Sequence, residues 1–118
     1  MRLVFSISEP HIGHLYTAVI ADSIARFERI KNPDVKVKFM TGTDEHGLKI
    51  SKSALKCNMS EQVYCDMISE KFRELFKLYD VNETDFLRTT EERHIKAVTS
   101  LWVCIYLIFC FKSEFFMV

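Results

Sequence analysis

Short apolar runs alternate with longer helical stripes along the chain. Leu3–Ile7 is mostly apolar and is followed by the turn formers Ser8–Pro10, which is typical of a buried strand that ends in a turn. A helix is predicted from about Gly13 to Lys31, and Asn32–Asp34 is expected to end it because proline disfavours helical geometry in the preceding residue. Its predicted apolar face comprises Leu15, Val19, Ile20, Ile24, Phe27 and Ile30.

The middle of the chain repeats this order. Val35–Met40 alternates apolar and basic residues and ends in two apolar ones, which predicts a second strand that is half exposed or near an edge of a sheet. Thr41–Gly47 is rich in turn formers and is predicted to be a loop, and a short helix is expected over about Leu48–Cys57. Ser60 is placed to cap a further helix with an apolar stripe over Tyr64–Tyr79.

A third strand and helix are predicted next. Asp85–Arg88 is a candidate short strand, and Thr89 with Glu92 forms a capping-box pattern that is expected to open the following helix. Strands that alternate with helices in this way indicate a doubly wound α/β fold with a parallel sheet. Ligands of such folds bind beyond the carboxyl ends of the strands, so the segments after the strands are the candidate sites.

The composition excludes some classes of function. The 118 residues are 48% hydrophobic, enough for a core, and sixteen basic residues balance sixteen acidic ones. No basic field is present to recruit nucleic acid by charge alone, and no DNA partner is expected. The four cysteines lack CxxC spacing and a His at zinc-ligand spacing, so no protein-bound metal is predicted. Neither a secretory signal nor a transit peptide is visible.

The first candidate site is the PHIGH turn after the first strand. His11 and His14 are three residues apart, so both face one side of a first helical turn, where imidazole N–H groups and the helix N-terminus converge on an anion. Gly13 removes a side chain where a purine or phosphate approaches the backbone. Such donors stabilise charge that develops on an α-phosphate during adenylyl transfer. The candidate catalytic residues are His11 and His14, and the candidate ATP-binding residues are Pro10, His11, Ile12, Gly13 and His14.

The second candidate site is the segment TGTDEHGLKI, which begins at Thr41. Asp44 is expected to contact a substrate ammonium, because a fixed carboxylate supplies both charge and geometry. His46 is predicted to line the same cavity, whereas Glu45 is equally compatible with a solvated position. The alternative is that this segment is only a turn, whose side chains cap the helix that begins at Leu48.

Together with DFLRTTEERH at Asp85–His94, these segments resemble the start of the catalytic domain of methionyl-tRNA synthetases, class I aminoacyl-tRNA synthetases of the bacterial and mitochondrial kind. The resemblance covers about Pro10–Trp102. It implies the first half of a Rossmann-like, HUP-type nucleotide-binding fold, with a parallel sheet and flanking helices. It also implies ATP-dependent activation of methionine to methionyl-adenylate and transfer to tRNA(Met), with Mg²⁺ as the counter-ion of the nucleotide.

The resemblance carries ATP handling to His11, Gly13 and His14, and recognition of the methionine amino group to Asp44. Two segments depart from the family pattern. Phe5–Glu9 reads FSISE where relatives have a strand that helps form the methionine side-chain pocket. Leu101–Phe111 is eleven apolar residues in a row. We therefore predict a partial catalytic domain over residues 1–102 and an apolar tail outside the family over residues 103–118.

Two further segments carry open alternatives. Lys49–Ser53 reads KISKS, one residue from the KMSKS signature of class I synthetases, but it directly follows the second motif, and solvated helix lysines are the expected interpretation. The apolar run Leu101–Phe111 is compatible with buried core, with a weak membrane contact, or with a stretch foreign to the fold. It is shorter than the ~20 residues of a spanning helix, so no stable membrane insertion is expected.

The hypothesis is a truncated methionyl-tRNA synthetase with little or no aminoacylation activity of its own. One alternative is a free-standing nucleotidyltransferase that uses an HxGH turn. The other is a non-catalytic product that acts only by interaction. The motifs resemble those of organellar members of the family, which indicates a mitochondrial location, with the cytoplasm as the alternative.

Overall fold

Three parallel strands form the centre of the molecule. The structure is a computed structural model that describes residues 2–6 and 8–115. Its single described sheet has the order β1 (Arg2–Ser6), β2 (Met40–Asp44), β3 (Asp85–Arg88). The helices are α1 (Ile12–Lys31), α2 (Leu48–Lys56), α3 (Glu61–Leu78) and α4 (Glu92–Phe115). The prediction of an α/β fold with a parallel sheet and flanking helices is confirmed.

The parallel register brings the turns after the strands to one edge of the sheet. Ser6 lies opposite Asp44, and Thr43 lies opposite Arg88. Because the strands follow one another in the sheet and crossovers are right-handed, α1 and α3 lie on the same face. The carboxyl edge is therefore where residues from all three strand ends can meet.

The core lies between the sheet and this helical layer. The ring of Phe5 on β1 stacks on Phe72 of α3, with ring centroids 5.4 Å apart, and Phe76 contacts Phe86 of β3. Helix α3 begins after Ser60, whose Oγ accepts the Val63 N–H as predicted. The buried side chains of α3 thus connect the two outer strands.

Helix α1 buries a different face from the predicted one. Its buried residues are Leu15, Ala18, Ala21, Asp22 and Ala25. Three alanines on one face let the helix approach the sheet and α3 closely, whereas the larger apolar residues would hold it away. Except for Leu15, the predicted face is exposed, with Ile24 46% and Phe27 59% accessible.

The second strand lies later than predicted and is the central strand of the described sheet, so the edge position considered for it is wrong. Residues 35–39 are irregular, and β2 runs over Met40–Asp44, so the prediction of a loop that begins at Thr41 is wrong. Hydrogen bonding to strands on both sides holds this segment extended, and its β-branched threonines suit a strand. Gly42 permits the close approach of β3, since a Cβ there would lie 1.8 Å from the carbonyl oxygen of Leu87.

Helix α4 also begins later than predicted. It starts at Glu92, and Thr89 lies in the preceding turn. The Oγ1 of Thr89 accepts the Glu45 N–H at 2.8 Å, so this hydroxyl does not cap the helix. The predicted capping box is therefore wrong, because the Thr89 hydroxyl bonds to Glu45, the residue after β2, and lies outside the first turn of α4.

The apolar tail continues α4. The side chains of Leu101–Ile108 are exposed, with Trp102 69% accessible, so the buried-core alternative is wrong for them. The helix runs through the predicted boundary after Trp102 without a break. Ile7 of the first predicted strand and residues 116–118 of the predicted tail lie outside the described residues. Within the described ranges, no helix has both the length and the apolar content that crossing a membrane requires.

Candidate functional site

The two histidines of the first motif cap the start of α1 through hydrogen bonds to its backbone. His11 is the N-cap, and its Nδ1 accepts the Gly13 N–H at 3.1 Å. The Nδ1 of His14 accepts the His11 N–H at 3.3 Å, which completes a capping box made of two imidazoles. An Nδ1 that accepts a hydrogen bond carries no proton, so the proton of each neutral ring is on Nε2. The two Nε2–H groups are therefore the donors left for a ligand.

Gly13 makes this arrangement possible. A Cβ at this position would lie 3.0 Å from Cε1 of His11, so the absent side chain leaves room for the imidazole ring. The Gly13 N–H is also occupied by that ring. Consequently the imidazoles, and not this backbone N–H, are the groups available to bind an anion at the helix start.

The surroundings of His14 favour its neutral form. Its ring lies edge-on to Phe5, with centroids 5.2 Å apart, and 5.1 Å from the ring centroid of Phe72. It also stacks on His11 at 3.7 Å. Burial lowers the pKa of His14, and the neighbouring His11 lowers it further by charge repulsion. A neutral His14 keeps both its cap and its Nε2–H donor.

An ion pair holds the segment before the motif. Lys71 of α3 donates to both carboxylate oxygens of Glu9, at 2.7 and 2.9 Å. Both side chains are substantially exposed, so the pair contributes at most about 1 kcal/mol to stability. It tethers the turn that leads to Pro10 and the histidines.

The second motif ends β2 and begins α2. Asp44 is exposed at the last position of the strand, and its side chain makes no hydrogen bond or ion pair with the described residues. His46 is exposed in the following turn. Gly47 is the N-cap of α2 with φ +106° and no side-chain cap, so the alternative that this segment serves as a side-chain cap is wrong.

The structure brings only part of the predicted site together. His11 and His14 are in contact, and Asp44 lies at the same carboxyl edge of the sheet. Side chains alternate along β2, and Thr43 pairs in register with Phe5, which contacts His14. The Asp44 side chain therefore belongs to the opposite face. A ligand that meets both groups has to pass over the strand ends.

Glu45 is a buried residue of this segment whose surroundings the sequence pattern did not predict. Its side chain is 0% exposed, which contradicts the solvated position considered for it. Its carboxylate accepts hydrogen bonds from Arg88 Nε at 2.7 Å and Nη2 at 3.0 Å, and from Ser69 Oγ at 2.5 Å. Thr43 Oγ1 donates at 2.7 Å, and Thr90 Oγ1 also donates. Both oxygens of the buried Glu45 carboxylate therefore accept hydrogen bonds from several donors, which satisfies its acceptor capacity.

The charges of this cluster stabilise one another. Burial by itself would raise the pKa of Glu45, but the hydrogen bonds from Arg88, Ser69, Thr90 and Thr43 together lower it to about 2. The hydrogen bond to Glu45 raises the pKa of Arg88, and Asp66 raises it further from 2.6 Å. Burial and the negative charge of Glu45 raise the pKa of the nearby Cys65 thiol to about 11. Glu45 and Arg88 therefore stay ionised over the whole physiological range.

The other candidates have simpler surroundings. Lys49 and Lys52 of the KISKS segment are exposed on α2, in agreement with solvated helix lysines. In the part of the chain that the structure describes, no group of three His, Cys, Asp or Glu side chains is arranged to hold a metal ion.

Comparison with known sequences identifies relatives of this chain. The family model for class I tRNA synthetases (M) matches residues 2–109. The probable mitochondrial methionine–tRNA ligase of Dictyostelium discoideum is 50% identical over 93 residues, which are 79% of this chain and 16% of the relative. The methionine–tRNA ligase of Rickettsia conorii is 50% identical over 93 residues, 79% of this chain and 18% of the relative. The mitochondrial enzyme of Bos taurus is 48% identical over 94 residues, with shares of 79% and 16%.

Solved structures agree with the sequence comparison. A crystal structure of Mycobacterium tuberculosis methionyl-tRNA synthetase bound by methionyl-adenylate has a TM-score of 0.76 and 31% identity, over 86% of this chain and 20% of that protein. This chain thus spans about a fifth or less of the length of these relatives. The family model and the helix–sheet arrangement agree, and the chain belongs to the class I tRNA synthetases of the methionyl type.

Proposed function

We propose that this chain contributes the ATP-binding histidines and the amino-group contact of a methionine adenylation site. The observation that carries the proposal is the reciprocal cap of α1, which fixes both imidazoles as Nε2–H donors at the carboxyl edge of the sheet. Membership of the methionyl synthetase family supports it. The same match, over residues 2–109, favours a synthetase over a free-standing nucleotidyltransferase.

Each predicted residue has a role in this reaction. The methionine carboxylate attacks the α-phosphate of ATP and pyrophosphate leaves, so the protein has to supply neither a nucleophile nor a base. His11 and His14 donate their Nε2–H groups to the phosphate oxygens that gain charge. Pro10, Ile12 and Gly13 shape the turn that presents these rings. Asp44 accepts hydrogen bonds from the methionine ammonium, and His46 lines the same hollow.

The remaining components follow from the family. Mg²⁺ accompanies ATP as its counter-ion, and tRNA(Met) accepts the methionyl group. We propose a mitochondrial location, which the mitochondrial relatives from Dictyostelium and Bos taurus support. The bacterial relatives match equally well, so cell fractionation of the tagged chain is the test, with recovery in the cytoplasm as the contradicting result.

Titration of the purified chain with Mg·ATP and with L-methionine tests the two contacts separately. Replacing His11 by serine, a good N-cap, keeps the helix start and removes one imidazole. We expect His11→Ser and His14→Ala to weaken ATP binding about tenfold or more, as loss of a charge-assisted hydrogen bond does. Asp44→Asn is expected to weaken methionine binding and leave ATP binding unchanged. ATP binding that survives in the double variant His11→Ser, His14→Ala would contradict the assignment.

Turnover is a separate question. Because the matched relatives contain four-fifths or more of additional chain, we propose that this chain alone supports little or no methionine-dependent ATP–pyrophosphate exchange. Exchange by the purified chain measures this directly. Robust exchange that His14→Ala abolishes would show that the chain is a complete adenylation site.

A further inference from the structure

Glu45 occupies an unusual place between the two predicted substrate contacts. Asp44 precedes it and His46 follows it, and both of these side chains are exposed at the sheet edge. Glu45 itself points into the protein, where its side chain is 0% exposed. One buried carboxylate thus separates two outward-facing polar groups on three consecutive residues.

Three parts of the fold hold this carboxylate. Ser69 donates from α3 at 2.5 Å, and Arg88 donates twice from the end of β3, at 2.7 and 3.0 Å. Thr90, in the turn after β3, also donates. Arg88 is itself held by Asp66 of α3 at 2.6 Å. The Glu45 side chain therefore joins the ends of β2 and β3 to α3.

The backbone at Glu45 is held as well. Its N–H donates to Thr89 Oγ1 at 2.8 Å, and the Thr89 N–H donates to the Thr43 carbonyl oxygen at 3.1 Å. When both the side chain and the backbone of a residue are hydrogen-bonded, the side chains of its two neighbours can point in few directions. The chain reverses face at each residue of an extended segment, so an inward Glu45 turns Asp44 outward.

A buried ion pair is an inefficient way to gain stability. Removing two charges from water costs free energy that their attraction only partly returns, and well-packed apolar residues often serve as well. The pair here instead has bidentate geometry, which fixes direction more than a point contact does. The main contribution of the Glu45–Arg88 ion pair is therefore expected to be the geometry that it imposes on the end of β2.

We propose that Glu45, clamped by Arg88, is a positioning residue of the amino-acid site, which holds the end of β2 so that Asp44 meets the substrate ammonium. This inference rests on the proposed function. It adds a residue that touches neither substrate nor nucleotide and acts through the neighbouring carboxylate.

Recognition of the ammonium group is the quantity to measure. We compare binding of L-methionine with binding of 4-(methylthio)butanoate, which lacks only the amino group, and measure Mg·ATP binding in parallel. The full chain is titrated as wild type, as Glu45→Gln, and as the exposed control Glu74→Gln. Thr90→Val, which removes one donor to Glu45 and keeps the ion pair, is the milder variant if Glu45→Gln does not fold.

The expected result is specific to the amino group. Glu45→Gln reduces the preference for methionine over the des-amino acid about tenfold, while ATP affinity stays within about twofold and Glu74→Gln resembles the wild type. Thr90→Val gives a smaller loss in the same direction. A merely structural role would weaken all three ligands together.

The contradicting results separate the two proposals. A wild-type chain that binds methionine no better than the des-amino acid refutes the Asp44 contact of the proposed function, and the positioning role falls with it. A wild-type preference that persists in Glu45→Gln, or a parallel loss of methionine and ATP binding, leaves the proposed function standing and overturns the role of Glu45 alone.

Discussion

The two halves of the candidate site are built in opposite ways, although they lie at the same edge of the sheet. The histidine turn after β1 is closed by contacts between residues two or three apart, and His11 remains exposed. The buried Glu45 carboxylate after β2 accepts hydrogen bonds from Ser69, Arg88 and Thr90, which lie 24 to 45 residues away, as well as from the nearby Thr43. Local hydrogen bonds thus hold the two histidines proposed to bind the nucleotide, whereas tertiary hydrogen bonds hold the strand end that carries Asp44, the proposed contact of the substrate ammonium.

This difference predicts where the molecule is vulnerable. A capping box involves one helix turn, so its loss is expected to fray α1 without disturbing the sheet. The Glu45 cluster joins β2, β3 and α3, and removal of one partner of its ion pair leaves the other charge unpaired in the interior. Substitutions in the capping box of α1 should therefore destabilise the fold less than substitutions in the Glu45 cluster, and their effects should stay closer to the substituted residue.

The largest effect is expected from Arg88→Met. Glu45 would keep its buried charge without the guanidinium, which destabilises a fold by about 3–5 kcal/mol. Chemical denaturation followed by circular dichroism measures the change, with Arg29→Met as the matched control, since Arg29 makes no described hydrogen bond or ion pair. The double variant Glu45→Gln, Arg88→Met is expected to be more stable than Arg88→Met. A double variant that loses the sum of both single effects would contradict the coupling.

Acidification is expected to affect the two regions in separate pH ranges. The pKa of Glu45 is about 2 in the folded chain against 4.5 ordinarily, so its stabilisation of about 3 kcal/mol is complete above pH ~4.5 and is lost as the pH falls toward 2. The lowered pKa of His14 gives a loss that begins already as the pH falls below its ordinary 6.5. In both cases the unfolded state binds the proton first.

Unfolding free energies between pH 8 and pH 2 test this order. The advantage of the wild type over Glu45→Gln should be constant above pH ~5 and shrink below it. The decline that begins near pH 6.5 should instead be missing in His14→Ala. A Glu45→Gln difference that does not depend on pH would contradict this order, because it would show that folding leaves the pKa of the Glu45 carboxyl unchanged.

The same contrast explains what the sequence could predict. The helix cap at Ser60, the short strand Asp85–Arg88 and the pairing of His11 with His14 follow from patterns within a few residues, and the structure contains them. The position of β2 depends on strands that flank it on both sides, and TGTD alone reads as a turn. Glu45 and Arg88 meet only in the folded chain. No local pattern distinguishes a buried Glu from a solvated one.

A smaller effect is expected at the histidine turn. His11→Ala removes the side-chain acceptor of the Gly13 N–H, and loss of an N-cap costs about 1 kcal/mol. His11→Ser restores an N-cap oxygen and should recover most of this loss. Helical circular dichroism and urea midpoints measure the series. If alanine and serine are equally destabilising, the contribution of His11 lies in its stacking on His14 and not in the cap.

The smallest effect on stability is expected from Asp44→Asn, one residue away from the most sensitive position. The Asp44 side chain is exposed and makes no hydrogen bond or ion pair with the described residues, so its replacement should change the unfolding free energy by no more than about 0.5 kcal/mol. The same urea titration that detects Arg88→Met measures this value. A loss above about 2 kcal/mol would mean that Asp44 supports the fold. A loss near zero, joined to weaker methionine binding, leaves adjacent carboxylates with separate tasks: Glu45 holds the strand end, and Asp44 is left free for a ligand.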